Sequence, residues 1–322
     1  MIDLRLNAQD LSLIRFARSP LEEAVHSLAA LQDPRRRGLH LPWWNVMARR
    51  VRTLDLDLLL ALTGTPGVLP DFLCPPPGRA DPVFAHELSA VRAATPGELR
   101  AGVDELRGHG PVPPTLRPLY DDPGSTLPRL VDQLDAYWRC AVEPVWPRLR
   151  SLLDADIAYR ARRLTTGGLA AVLEDLHEDL EYGADRIRVR KPVSYERPAT
   201  GHGVLLVPTI FGWPRLGVLY DEGARPAIGY PARGIAGVWT TVPTTEGAPV
   251  EELVGRTRAR ILARLDLPLS TTRVASLLGM TPPTANHHLS VLRRCRLVTS
   301  ERAGREVLYQ RTHLGTSLLD PA

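Results

Sequence analysis

Lysine is nearly missing from this 322-residue chain: of its 40 basic residues, Lys191 alone is lysine. The bias fits a GC-rich genome and carries no function of its own. Cysteine is scarce as well. Cys74, Cys140 and Cys295 are 66 and 155 residues apart, which excludes a disulfide framework and any zinc-ribbon spacing. Long apolar runs are absent: nothing approaches the ~18 uninterrupted apolar residues of a membrane span. Met1 to Leu6 alternates apolar with polar residues, unlike the apolar centre of a signal peptide. A cytoplasmic protein with no membrane span is expected. No Gly-rich phosphate loop, nucleophile elbow or His-Glu-x-x-His pattern occurs, and His26, His40, His86, His109 and His202 show no partner spacing. The chain therefore reads as a non-enzyme with no catalytic residue, cofactor or metal.

At 44% hydrophobic and 24% charged, the chain can bury a large core, and its length suits two or more domains. Its net charge of +4 is unevenly spread. Residues 251–315 hold eleven arginines against five acids, a balance of +6 that leaves −2 for the rest. A small basic segment joined to a weakly acidic large one is the pattern of a nucleic-acid-binding module with a regulatory or assembly domain.

Ile2, Leu4 and Leu6 keep the period of a short strand. Ser19, Pro20 and Glu22 form a capping-box signal for a helix from Pro20 to Leu31, and Thr95-Pro96-Gly97-Glu98 repeats it for a helix to Arg107. Thirteen of the 30 prolines fall between Thr65 and Pro128, which predicts short helices joined by irregular segments. Helical spacing returns over Thr126–Tyr182, enough for three helices. Residues 185–243 then become rich in valine, glycine and proline, the mark of a small antiparallel sheet. Thr244–Pro249 resembles a linker. The expected class is α+β: a mostly helical N-terminal domain (1–246; helical 1–184, β-rich 185–243) followed by a winged helix-turn-helix (247–322).

The second domain can be argued piece by piece. A first helix is expected over Val250–Leu265 and a second behind Ser270 or Thr271. Ala275 and Gly279 supply the small residues that a tight helix crossing needs. Thr281 caps the next helix and Pro282 takes its first position. Over Pro282–Cys295, Ala285, His288, Leu289 and Leu292 share the inner face, while Pro283, His287, Ser290 and Arg294 face outward with Thr284, Asn286 and Arg293 beside them. That outer face offers donors and acceptors to a major groove, where asparagine pairs with adenine. Leu297–Arg302 and Arg305–Gln310 form a hairpin whose tip arginines, Arg302 and Arg305, suit phosphates.

Residues 256–311, about a sixth of the chain, resemble the DNA-binding unit of ArsR-type transcriptional regulators, with Thr281–Val298 followed by Arg302–Tyr309 similar to the family's recognition helix and wing over some 30 positions. The resemblance implies operator binding to double-stranded DNA, usually as a dimer, with Thr281, Pro283, Thr284, Asn286, His287 and His288 in the DNA-facing turn. A half-buried His288 touching a phosphate reconciles this with its inward helical position. The Cys-x-Cys or clustered ligands of metal-sensing members are not apparent, and Cys295 reads as a small apolar residue in a packed corner. Too few residues follow the wing for a long dimerisation helix, which assigns homodimerisation to the N-terminal domain.

Phe16–Pro20 and Val207–Pro214 resemble an uncharacterised domain that accompanies this DNA-binding unit in some high-GC bacterial regulators. Glu174–Glu181 reads as a solvated helix face over Leu173, Leu176 and Leu180. The six tryptophans read as core residues, or as the wall of a small-molecule effector pocket. The expected function is a sequence-specific regulator, a repressor; the alternative is a protein-interaction module whose winged helix docks an acidic partner.

Overall fold

In the computed structural model, Ser19 accepts a hydrogen bond from the Glu22 amide at 2.9 Å and opens helix α2 (Pro20–Gln32), as its sequence signal predicts. Residues 1–183, 185–191, 195–199, 201–220, 225–239, 249–265, 268–303 and 306–319 are described. The chain divides into two units, Met1–Trp239 and Thr240–Ala322. The expected boundary at 246/247, with most of the linker, lies outside the described residues.

In the first unit, α1 (Ala8–Ser12) precedes α2, and α3 (Pro34–Val51), α4 (Asp57–Thr63), α5 (Phe84–Arg92), α6 (Pro96–Arg107), α7 (Arg117–Asp121), α8 (Pro123–Tyr137) and α9 (Trp146–Leu173) follow. The capping box at Thr95 forms in full, with Thr95 and Glu98 bonding each other's amides. At Ser19 only half of it forms. The Glu22 carboxyl turns into the protein instead of back to the cap, and is 2% exposed. The proline-rich stretch breaks into short helices as expected. The predicted second and third helices of the 126–182 segment run together as α9, broken only where Gly168 takes φ +71°, a conformation open to glycine. α9 ends at Leu173, so Glu174–Glu181 is not a helix face, although Leu176 and Leu180 are buried.

The sheet expected within 185–243 is two four-stranded sheets, and each recruits a strand from the first 16 residues. The first joins β1 (Ile2–Arg5), β3 (Leu180–Tyr182), β4 (Arg186–Val189) and β5 (Tyr195–Pro198) in the order β3-β4-β1-β5; the second joins β2 (Arg15–Phe16), β6 (Leu205–Thr209), β7 (Gly217–Leu219) and β8 (Ala227–Pro231) in the order β2-β6-β8-β7. The expected antiparallel pairing holds for β3–β4, β1–β4 and β7–β8. β1–β5, β2–β6 and β6–β8 are parallel, which is possible because none of these pairs is joined by a tight hairpin that would force opposite directions. One core holds Leu4, Leu173, Ile187, Leu206 and Ile228. Beside it the buried Asp156 of α9 accepts from Arg160 Nε (3.0 Å), Tyr230 OH (2.8 Å) and the Arg233 amide (3.1 Å), tying α9 to β8.

The second unit contains α10 (Pro249–Val254), α11 (Arg256–Arg264), β9 (Leu269–Ser270), α12 (Thr271–Leu278), α13 (Pro282–Arg294), β10 (Val298–Ala303), β11 (Glu306–Arg311) and α14 (His313–Leu319). The single helix expected over Val250–Leu265 is split at Gly255, whose φ is +82°. Strands β10, β11 and β9 make an antiparallel sheet in that order. Ile261, Leu262, Val274, Ala285, Leu289 and Leu292 centre its core, and Leu318 and Leu319 of α14 pack against it.

Candidate nucleic-acid interface

The recognition element is built from its caps. Ser270 caps α12, Gly279 closes it in the left-handed conformation (φ +65°), and Thr281 caps α13. Thr281 Oγ1 accepts from the Thr284 amide at 3.4 Å and lies 2.8 Å from Thr284 Oγ1. The cap thus ties down two hydroxyls that the sequence placed in the DNA-facing turn. Satisfying an orphan amide at a helix start is worth about 1 kcal/mol.

α13 has one buried side and one open side. Ala285, Leu289 and Leu292 are buried, while Thr281, Pro283, Thr284, Asn286, His287, Arg293 and Arg294 are exposed. His288 and Ser290 are half-buried. His288 therefore belongs mainly to the inner side, as its helical position implies. Burial lowers its basicity, and the nearby Arg258 and His287 lower it further. Its Nδ1 and Arg258 Nε are buried without a hydrogen-bond partner. Arg258 is a neighbour that the face argument misses, since it comes from α11. The rings of His287 and His288 are 5.6 Å apart and nearly perpendicular, which leaves the two imidazoles facing in different directions. Among the described residues no group of three His, Cys, Asp or Glu side chains could hold a metal.

The hairpin forms with Ala303 opposite Glu306. Arg302 is exposed beside its tip; Arg305 lies outside the described residues. Arg293 reaches from α13 to Ser300 Oγ of β10 at 3.4 Å, joining helix to wing. Arg311 serves the fold instead: it bonds the Leu262 carbonyl and Thr316. Cys295 is exposed, a correction to the packed corner expected for it. It follows the last turn of α13, where the chain turns away through Arg296 at φ +57°.

Trp43 and Trp138 are buried and Trp44, Trp146 and Trp239 half-buried, whereas Trp213 is exposed, a correction to the core position expected for it. Trp43 contacts Phe211 and Trp239 with ring centres 4.8 and 6.0 Å apart, and Trp138 stacks on Phe84 at 4.5 Å. None of the six lines the cavity that this unit contains beside α2.

Comparison with known proteins finds one match inside each unit. Residues 256–301 match a family described as a helix-turn-helix domain, and residues 104–236 match a family of unknown function, DUF5937. The C-terminal part is accordingly a helix-turn-helix of ArsR type, preceded by a domain of that uncharacterised family, as the resemblances of Thr281–Val298 and Val207–Pro214 imply; Phe16–Pro20 lies outside the matched residues. Such a domain is the DNA-binding part of a transcription regulator. No curated protein and no solved structure matches the chain. No described helix is long and apolar enough to cross a membrane.

Proposed function

We propose that the chain is a sequence-specific transcription regulator, a repressor that binds operator DNA as a homodimer and acts in the cytoplasm rather than as an enzyme. The observation that carries this reading is the division of α13. Its Ala285, Leu289 and Leu292 side is sealed into the core while Thr284, Asn286 and His287 stand open. That outer row offers hydrogen-bonding groups and arginines with no acidic residue over 282–294, which suits a groove flanked by phosphates. Thr281, Pro283, Thr284, Asn286 and His287 would enter the major groove, with Ser290 at its edge. Arg293, Arg294, Arg302 and Arg305 would hold phosphates, joined by His288. The repressor assignment rests on the ArsR resemblance. Dimerisation is assigned to the first unit, because α14 spends Leu318 and Leu319 on its own unit's core. Ligand response is assigned there as well.

Selection of bound duplexes from a random pool, followed by fluorescence anisotropy on the winner, tests this reading. One sequence should be preferred, with affinity falling steeply as salt rises. Asn286→Ala should relax preference at one base pair by about 1–3 kcal/mol. Equal affinity for all duplexes, or binding indifferent to salt, refutes the reading. A partner captured in nuclease-treated extract and lost on Arg302→Ala would favour protein docking instead.

A further inference from the structure

The first unit contains a cavity of about 400 Å³ whose lining includes Glu22, His26, Arg36, Lys191 and Arg215. The size falls in the range of small-molecule sites. We propose that it binds a small organic acid, the carboxylate held among Arg36, Lys191 and Arg215 and the apolar body lying against Val68, Leu69 and Leu216.

Three cations reach this cavity from separate places: Arg36 from α3, Lys191 from beyond β4, and Arg215 from the segment between β6 and β7. Backbone carbonyls hold Arg36 and Lys191. Arg36 donates from Nε to the Trp213 carbonyl at 3.0 Å and from Nη2 to the Phe211 carbonyl, and Lys191 donates to the Leu216 carbonyl. Arg215 pairs with Asp33 at 3.3 Å, an ion pair the other two lack. A carbonyl orients a cation but does not neutralise it, so the charges work against one another. Burial lowers the basicity of Arg36, Lys191 and His26, Arg215 lowers Arg36 and Lys191 further, and all three cations further depress His26. Asp33 offsets part of this at Arg36 and Asp179 at Lys191. Like charges gathered in a partly desolvated pocket are costly unless an anion joins them.

The neutral polar groups fit the same ligand. Glu22 is 2% exposed, and one of its oxygens has no hydrogen-bond partner; His26 Nδ1 also lacks one. With its carboxyl pushed up to about 8 by burial, Glu22 is largely protonated at neutral pH and can donate to a ligand oxygen. Two other acids on the wall, Asp71 and Glu105, also line a second cavity of about 420 Å³. They therefore bear on the part of the lining that the two cavities share. The site stands on the first unit alone; a role for the acid as effector rests on the regulator reading above.

Benzoate and phenylacetate, each against its own amide, test the site on the full chain by thermal unfolding and calorimetry. At about a hundredfold excess over Kd, an acid should raise the midpoint by about 5 °C while its amide does not. Arg215→Gln should weaken binding about tenfold or more. Asp33→Asn keeps a capping side chain but frees Arg215 for the ligand, so it should tighten binding several-fold, a gain that a damaged fold cannot give. No binding of either acid, amides equal to acids, or no tightening in Asp33→Asn would overturn the proposal. Anisotropy on the selected duplex separates the two readings. Acid binding that leaves DNA affinity unchanged keeps the site and removes its role as effector, whereas acid binding by a chain with no duplex preference sinks the operator reading alone.

Discussion

One helical turn apart on α2, His26 Nε2 lies 3.5 Å from a carboxyl oxygen of Glu22 in an interior where neither group is readily charged. Burial raises the Glu22 carboxyl to about 8. It lowers His26 to about 3, helped by Arg36, Arg215 and Lys191. Two titratable side chains thus meet as neutral groups near pH 7, and each ties the stability of the first unit to pH in its own direction.

Glu22, Glu23 and Glu87 all titrate near 8 in the folded chain, well above the ordinary carboxyl value of 4.5. The unfolded chain loses these protons first, so their contribution is complete below about 4.5 and declines as pH rises through 8. His26 acts oppositely, contributing fully above about 6.5 and losing that contribution as pH falls toward 3. Urea unfolding should therefore give a lower midpoint at about pH 8.5 than at about pH 6.5. Glu22→Gln should flatten the decline and add on the order of 2 kcal/mol at the higher pH. An unchanged slope in that variant would show that Glu22 is not the titrating group.

Removing Asp156 should damage the first unit more than any surface change. Its carboxylate serves Arg160, Tyr230 and the Arg233 amide at once, and Asp156→Ala leaves the buried Arg160 guanidinium with only the Asp175 carbonyl at 3.2 Å and the Asp175 carboxylate at 3.8 Å. A loss of about 3–5 kcal/mol is expected in denaturant unfolding. Tyr230→Phe, which deletes one hydrogen bond, should cost about 1 kcal/mol.

In the second unit, Thr281→Ala should cost about 1 kcal/mol by uncapping α13, and Gly279→Ala about 1–2 kcal/mol through its left-handed backbone. A Cβ at Gly279 would meet nothing within 4 Å, so that penalty is conformational and not a clash. Duplex affinity should fall with both, because they shift the start of the recognition helix. Hydrogen exchange over 271–294 would report the local loosening.

Arginine substitutions should sort into two kinds. Arg294→Ala and Arg302→Ala should weaken binding to all duplexes and reduce the salt slope by about one for each phosphate no longer neutralised. Arg311→Ala should lower the stability of the second unit instead, because its guanidinium bonds the Leu262 carbonyl. Salt titrations of the three variants separate the kinds.

The thiols should react in order of exposure. Cys295 is exposed and Cys74 is buried, with burial also raising the Cys74 thiol. A chromogenic disulfide reagent should label Cys295 at once and reach Cys74 only on unfolding.

Signals confined to a few neighbouring residues were legible in the sequence. Ser19 and Thr95, spaced with Pro and Glu, Thr281, followed by Pro282, and Ser270 cap helices as expected, and the leucines of α13 face inward. Pairings set by distant partners were not. Nothing near Ile2 or Phe16 indicates that they enter different sheets, because strand partners are chosen by the whole fold and not by local pattern. Glu22 shows the same limit from another side: its spacing from Ser19 fits a capping box, yet the carboxyl goes to the interior beside His26. The cavity escaped sequence reading for that reason. Its Arg36, Lys191 and Arg215 are far apart in the chain, and the lone lysine had no visible companion.

Strand β1 has a consequence for synthesis. Ile2 is aligned with Val189 on one flank and Tyr195 on the other. Ile2 leaves the ribosome 187 residues (189 − 2) ahead of Val189 and has neither strand partner until that much chain has followed. During that interval a short apolar strand is held open to any other edge it meets. A fusion attached ahead of Ile2 would be felt in yield and solubility well before it was felt at the DNA.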